Sequence, residues 1–357
     1  MTDLPRPEPT TGPLTFDELG LAVRNRSLPL EALAWDTTPP GLHYLLTHFD
    51  IPAVDGAGWR LRIGGLVERR LELTLDDVMA RPSRTMAVTM ECAGNGRARL
   101  TPRPVSQPWL GEAIGTARWT GTPLAPILAE AGVRPETVEL VFMGADRGIQ
   151  GGREEDYGRA LSVADAMRPE VMLVWAMDGQ PLPPQHGFPV RLLVPGWYGM
   201  TSVKWLTSID AVAEPYQGYQ QTVAYQYASD KDDPGEPAQR MRVRALMVPP
   251  GIPEYLTRMR VVEAGPTRLI GRAWSGSGSI TRVEVGVDGV WSDAALAPPV
   301  DAYAWRGWSL DWPAGPGEHE LTCRATDETG AVQPLEAPWN YRGLGNNAVQ
   351  RVQVTVR

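Results

Sequence analysis

The chain is organised around the stretch Thr85-Met86-Ala87-Val88-Thr89-Met90-Glu91-Cys92-Ala93-Gly94-Asn95-Gly96-Arg97. Apolar side chains alternate through Met86, Val88 and Met90, which predicts a half-buried strand. The glycines that follow predict a turn in place of further strand. The stretch therefore puts one thiol, Cys92, at the end of a rigid strand and a fixed cation, Arg97, just beyond it. A thiol so placed can be a nucleophile, a metal ligand or a buried apolar side chain.

Length and composition indicate an ordinary globular protein. The 357 residues suggest about two domains, with 43% hydrophobic and 21% charged residues. A net charge of −8 argues against nucleic acid or an anionic membrane as a partner. An anionic substrate would therefore need a local basic pocket.

Cysteine content and hydropathy bear on the compartment. With only Cys92 and Cys323 in the chain, a disulfide framework is excluded and a reducing compartment is favoured. No stretch approaches 18 apolar residues, so no membrane span is predicted. These features predict a cytoplasmic protein, or a periplasmic one if an export signal has been removed.

Three blocks of the sequence together resemble the sulfite oxidase family. The segment 91–97 resembles that family's molybdenum-binding segment. The stretch 186–196, followed by 203–206, is similar to its pterin-binding region, and Trp339-Asn340-Tyr341-Arg342-Gly343 resembles its C-terminal substrate-pocket motif. The blocks stand in the family's order, and the resemblance covers roughly residues 40–357.

The pattern and the resemblance predict one architecture. We expect an N-terminal arm over 1–40, then an α+β domain of mixed sheet and helix over 41–235, which the resemblance implies binds molybdopterin. Residues 236–357 alternate in short strands separated by turns, which is typical of a β-sandwich. By resemblance this is an immunoglobulin-like dimerisation domain, and Val349, Val352, Val354 and Val356 are predicted to supply a surface for a homodimer.

The resemblance also implies the roles of individual residues. Cys92 would be the metal's protein ligand; because the sequence has no CxxC, HExxH or histidine cluster, the other ligands would come from the organic cofactor. Arg97 and Arg342 would bind the substrate and Trp109 would wall its pocket. Tyr225 would face the metal, with Tyr219 and Tyr227 as alternatives, and Cys323 would be core. The residues that match cofactor contacts are His48, His186, Arg191, Ser202 and Lys204.

The resemblance leaves three functions open. The first is oxidation of sulfite to sulfate by oxygen-atom transfer, and the second is the reverse use of such a site, as a reductase of nitrate or of an S- or N-oxide. The third is a metal-free β-sandwich interaction protein. Leu46 stands where the family has an arginine, which keeps the second alternative open. Because no Cys-x-x-Cys-His haem motif occurs, electrons would pass to a separate acceptor such as a cytochrome.

Overall fold

The fold begins with helices that carry clear capping signals. The structure, a computed structural model, describes residues 7–357. Thr15 and Thr74 each cap a helix by accepting a hydrogen bond from the backbone three residues on. The third helix falls where the sequence predicts one, over about 123–131, and ends at Gly132, whose φ is 69°. The α-helices of the described chain are α1 (Phe16–Arg24), α2 (Leu75–Met79), α3 (Leu124–Ala131) and α4 (Val163–Ala166).

Two sheets make up the larger domain. One is a 5-stranded sheet in the order β2-β1-β10-β5-β6, and in the other β3-β4-β7-β8 is joined by β9 on β7. Apolar side chains from the first sheet and the helices form one core, with Phe142 and Leu206 fully buried. The strands are β1 (Leu61–Gly65), β2 (Leu71–Leu73), β3 (Arg84–Glu91), β4 (Ile114–Pro123), β5 (Glu139–Gln150), β6 (Arg153–Ser162), β7 (Met172–Met177), β8 (Gln180–Pro181), β9 (Arg191–Leu193) and β10 (Leu206–Val212).

The second domain is a sandwich of a 4-stranded and a 6-stranded sheet, in the orders β13-β16-β20-β19 and β14-β15-β22-β21-β17-β18. A two-stranded ribbon, β11 with β12, connects it to the first domain. The strands are β11 (Gln226–Tyr227), β12 (Glu236–Pro237), β13 (Arg244–Met247), β14 (Ile252–Pro253), β15 (Arg260–Val262), β16 (Gly265–Trp274), β17 (Ile280–Val287), β18 (Val290–Asp293), β19 (Ala295–Leu296), β20 (Arg306–Ala314), β21 (Gly317–Asp327) and β22 (Gln350–Val356). This α+β domain followed by a β-sandwich confirms the predicted fold class.

The prediction that the C-terminal valines form a dimer surface is wrong. Strand β22 lies inside the 6-stranded sheet, between β15 and β21, so it offers no free edge. Val352, Val354 and Val356 point into the sandwich core, and Val349 is buried as well. The alternation that suggested an exposed apolar face is that of a central strand with one face in the core of its own domain.

The N-terminal segment packs against both domains. Residues 1–6 of the predicted arm lie outside the described residues. Glu18 on α1 accepts hydrogen bonds from Arg103 at 2.9 and 3.1 Å. Arg272 of the sandwich reaches Asp36 at 2.8 Å. No helix among residues 7–357 is long and apolar enough to cross a membrane.

Candidate active site

The site is built at the end of β3. Strand β3 pairs with β4 up to Glu91, and the backbone N–H of Cys92 still donates to the carbonyl of Ala113 at 2.9 Å. The chain then turns through Gly94 and Gly96, the latter at a φ of 82° that glycine adopts without strain. A Cβ at Gly94 would lie only 2.6 Å from Nη2 of Arg97. Glycine is therefore required at 94 for the guanidinium to pack against this turn.

Cys92 is the shared wall of two cavities. One, which we call the basic cavity, has a volume of about 640 Å³, and the other, the outer cavity, has about 900 Å³. Leu46, His48, Cys92 and Tyr225 line both. Most of the other predicted site residues line one cavity only. His186, Arg191, Ser202 and Lys204 line the basic cavity, whereas Arg97 and Trp109 line the outer one.

The pKa of the Cys92 thiol lies above its ordinary value. Burial raises its pKa, while the charge of Arg97, the backbone N–H of Gly94 and the indole of Trp109 oppose that rise. Among residues 7–357 there is no group of three His, Cys, Asp or Glu side chains that could hold a metal ion. A metal at this thiol therefore needs ligands from a bound organic group, which is the chemistry of a dithiolene cofactor.

The basic cavity holds two buried cations. Arg191 donates to the carbonyls of His186 and Ser202, and Lys204 donates to those of Leu46 and Gln185. Within the described chain neither forms an ion pair with a carboxylate at contact distance. Burial lowers the pKa of Arg191 to about 10 and that of Lys204 to about 7. A buried positive charge is costly unless a negative charge lies beside it, and a phosphate bound in the basic cavity would supply that charge.

Two histidines of the basic cavity, His43 and His186, are held neutral. Burial, assisted by the nearby positive charges, lowers the pKa of His186 to about 2 and that of His43 to about 4. The two imidazole rings meet edge to face, with centroids 5.6 Å apart. Neutral imidazoles beside fixed cations suit an uncharged heterocycle that carries an anionic tail. This donor set fits molybdopterin.

Of the three candidate tyrosines, Tyr225 is the one that lines both cavities with Cys92. It is buried in the walls of both cavities, and its pKa is raised to about 12 by burial. The guanidinium of Arg159 lies 5.5 Å from its ring centroid. Tyr219 packs at the tip of the β5–β6 hairpin against Gly151, and Tyr227 stacks with Arg242. Tyr225 therefore fits the predicted proton-relaying role.

Arg342 contacts Arg97 through its backbone. Its carbonyl oxygen accepts a hydrogen bond from Nε of Arg97 at 3.1 Å, while its guanidinium lies 5.6 Å from the ring centroid of Tyr341. It lines neither cavity in the described chain. The C-terminal motif thus orients Arg97, and direct substrate contact by the Arg342 side chain stays a prediction.

Sequence reasoning missed several residues of the site. His43, Tyr44 and Asp146 line the basic cavity, and Asn25 and Gln107 line the outer one. Burial raises the pKa of Asp146 to about 6, against the charge of Lys204. Residues 43 and 44 lie in the same extended segment, 43–52, as Leu46 and His48, which is the one signal that pointed toward them.

Comparison with known proteins gives a consistent result. Residues 48–220 match the family described as oxidoreductase molybdopterin binding domain, and residues 236–357 match the Mo-co oxidoreductase dimerisation domain. Sulfite oxidase from Gallus gallus is 36% identical over 357 residues, covering 92% of this chain and 75% of the relative. The sulfane dehydrogenase SoxCD from Paracoccus pantotrophus has a similar structure, with a TM-score of 0.80 and 28% identity over 97% of this chain and 91% of that one.

Other relatives are longer. The mitochondrial sulfite oxidase from Homo sapiens is 36% identical over 89% of this chain, which spans 62% of that protein. The NADH nitrate reductase from Solanum lycopersicum is 31% identical over 89% of this chain, which spans 38% of it. Fold and site together define a molybdopterin-binding oxidoreductase with a C-terminal dimerisation domain. The chain belongs to the sulfite oxidase family.

Proposed function

We propose that this chain oxidises sulfite to sulfate, taking the added oxygen from water and passing two electrons to an external acceptor. The observation that carries the proposal is the position of Arg97, a buried guanidinium packed on the turn of Cys92 and facing the outer cavity. The balance is sulfite plus water giving sulfate, two protons and two electrons. The bound molybdenum centre supplies the oxygen-atom transfer itself.

The residues of this chain position the reactants. Arg97 binds the oxyanion through its planar, permanently charged fork. Trp109 walls the pocket, and Tyr225 holds or relays a proton beside Cys92. The cofactor is held by Cys92 and by His48, His186, Arg191, Ser202 and Lys204.

A reductase is the second candidate. The nitrate reductases among the relatives and the neutral side chain of Leu46 in the pocket wall favour it. The third candidate, a metal-free interaction protein, predicts a protein without bound molybdenum. Elemental analysis of the purified protein separates it from both enzymes.

The experiment that tests the function is steady-state kinetics on molybdenum-loaded protein, with sulfite and ferricyanide in one assay and nitrate and a reduced dye in the other. We expect sulfite turnover, and Arg97→Met should lower kcat/KM for sulfite by about 10- to 100-fold, since a charge-assisted hydrogen bond contributes about 1.5–3 kcal/mol. Nitrate reduction without sulfite oxidation by the same loaded protein would overturn the proposal.

The proposal also covers the domain bounds, the oligomeric state, the electron acceptor and the location of the protein. We propose domains over 41–235 and 236–357, after an arm over 1–40, a homodimer through the C-terminal domain, and a separate electron acceptor such as a cytochrome. Two free, buried cysteines favour a cytoplasmic location.

A further inference from the structure

The outer cavity is much larger than sulfite. Its empty space, counted together with the solvent in its open mouth, is about 900 Å³, which is many times the volume of sulfite. Sulfite has only four non-hydrogen atoms. The cavity therefore has room for a substituent beyond the oxyanion that Arg97 binds.

The outer cavity has few charged side chains in its wall. Among its lining residues in the described chain, Arg97 is the one permanently charged side chain. The amides of Asn25 and Gln107 hydrogen-bond to each other at 2.8 Å, and Oδ1 of Asn25 accepts from the backbone of Thr47 at 2.7 Å. These polar groups hold α1, the segment 43–50 and the loop before Trp109 together. One fixed cation matches one negative charge, so a monoanion fits better than a dianion.

The rest of the wall is apolar. Leu46 and Phe49 lie half-buried on the segment 43–50, and Leu21 and Ile149 stand at the mouth with 38% and 66% exposure. Lys204 fixes the segment from behind, because its Nζ donates to the carbonyl of Leu46 at 2.9 Å. The apolar surface thus runs from beside Cys92 outward to solvent, along one side of the cavity.

We propose that the outer cavity takes organic sulfinates, R–SO₂⁻, whose oxygens face Arg97 and whose apolar group R lies along Leu46, Phe49 and the mouth. The reaction is R–SO₂⁻ plus water giving R–SO₃⁻, two protons and two electrons. A new S–O bond forms, sulfur is oxidised by two electrons, and an external one-electron acceptor such as ferricyanide takes them. This inference rests on the proposed oxidation of sulfur oxyanions at the same site.

The test compares benzenesulfinate, methanesulfinate and sulfite as substrates of the molybdenum-loaded protein, with ferricyanide as acceptor. A phenyl group buried along the apolar wall should raise kcat/KM over methanesulfinate by at least about 10-fold, since a single buried methylene contributes 10-fold or more. Leu46→Arg should lower this ratio and raise kcat/KM for sulfite. The matched control Val290→Arg, an exposed apolar-to-arginine change in the sandwich, should change neither value.

A second variant and a binding measurement test the proposal even if Leu46→Arg does not fold. Ile149→Ser changes a side chain that is already 66% exposed, so it should fold normally. It should lower kcat/KM for benzenesulfinate several-fold more than kcat/KM for methanesulfinate. In calorimetry, the product analogue benzenesulfonate should bind wild-type protein at least about 10-fold more tightly than sulfate, and Leu46→Arg should reduce that preference.

The outcomes separate the two proposals. Sulfite oxidation with equal kcat/KM for the two sulfinates, or benzenesulfonate binding without benzenesulfinate turnover, would overturn the sulfinate assignment and leave the proposed function standing. Loaded protein that oxidises none of the three substrates would overturn the proposed function, and the sulfinate assignment with it.

Discussion

Glu91, the residue before Cys92, accepts a hydrogen bond through Oε1 from Nη1 of Arg244 in the sandwich, at 3.0 Å. Both side chains are almost fully buried. The same oxygen accepts from Asn95 at 2.8 Å, and the other accepts from Nε1 of Trp274 at 2.9 Å. The C-terminal domain therefore holds the start of the turn that presents the thiol, and Nδ2 of Asn346 donates to the carbonyl of Gly96 later in the turn at 2.8 Å, so both domains take part in building the site.

Breaking this pair should destabilise the whole protein. Arg244→Met leaves the Glu91 carboxylate buried without its cation, which should lower the free energy of unfolding by about 3–5 kcal/mol. Urea denaturation followed by tryptophan fluorescence measures this loss. Arg351→Met, which removes a half-exposed cation paired with Glu320 and Glu336, is the control and should cost about 1 kcal/mol or less. Equal losses in the two variants would contradict the role assigned to the buried pair.

Cys92 and Cys323 should differ completely in function. Cys92→Ser removes the soft ligand, so the thiolate-to-molybdenum charge-transfer absorption and essentially all turnover should be lost. Cys323→Ala removes a thiol that is fully buried in the sandwich core, so it should cost stability and keep both signals. Absorption spectra and sulfite assays on matched molybdenum contents measure the difference. A Cys92→Ser protein that keeps the absorption band would show that the ligand is elsewhere.

The two buried cations should control retention of the cofactor. Arg191→Met and Lys204→Met each remove a buried cationic side chain that donates to backbone carbonyls of the site, so each should weaken cofactor binding by about 10- to 100-fold. Molybdenum and phosphorus content after extensive dialysis measures the loss. Arg147→Met, which changes an arginine that is 61% exposed, is the control and should keep full content. Full retention in both cavity variants would contradict the proposed phosphate site.

The sequence predicted most of the strands, helices and turns, because each is determined by residues that are close together in the chain. The strand that ends at Cys92, the helix over 123–131 and the turn at Asp178-Gly179 are set by residues within a few positions of one another. The site was recovered where a motif kept its residues together, as in the stretch 91–97. The sequence pattern gives no information about contacts between residues that are far apart in the sequence. Nothing near Arg342 in the sequence indicates that its carbonyl, rather than its guanidinium, meets Arg97, and the alternation of β22 does not reveal a neighbour on each side.

The pair His319–Asp288 should make stability depend on pH. Nδ1 of His319 lies 2.7 Å from Oδ2 of Asp288. The carboxylate raises the pKa of His319 above 6.5, and the backbone N–H of Glu320, with His319, lowers the pKa of Asp288 below 3.8. Because the pKa of His319 is raised in the folded state, its protonated form stabilises the fold fully below pH 6.5. This stabilisation is lost as the pH rises through the pKa of the folded state. A lowered aspartate pKa stabilises above pH 3.8, and this is lost as the pH falls through the folded value.

The pair therefore contributes fully between about pH 4 and 6.5, and its partial exposure limits the contribution to about 1 kcal/mol or less. His319→Gln should be less stable than wild type by more at pH 5.5 than at pH 8.5, as measured by urea denaturation at both values.

His319 also packs edge to face on Trp312 with centroids 5.4 Å apart, and loss of that contact should cost the same at both pH values. The other histidines are common to all variants and cancel in the difference. Asp288→Asn keeps the ring contact but weakens the acceptor of the Glu320 backbone N–H, which should cost the same at both pH values. Its larger loss at pH 5.5 than at pH 8.5 therefore isolates the ion pair, and a loss independent of pH in both variants would show that the ion pair does not stabilise the fold.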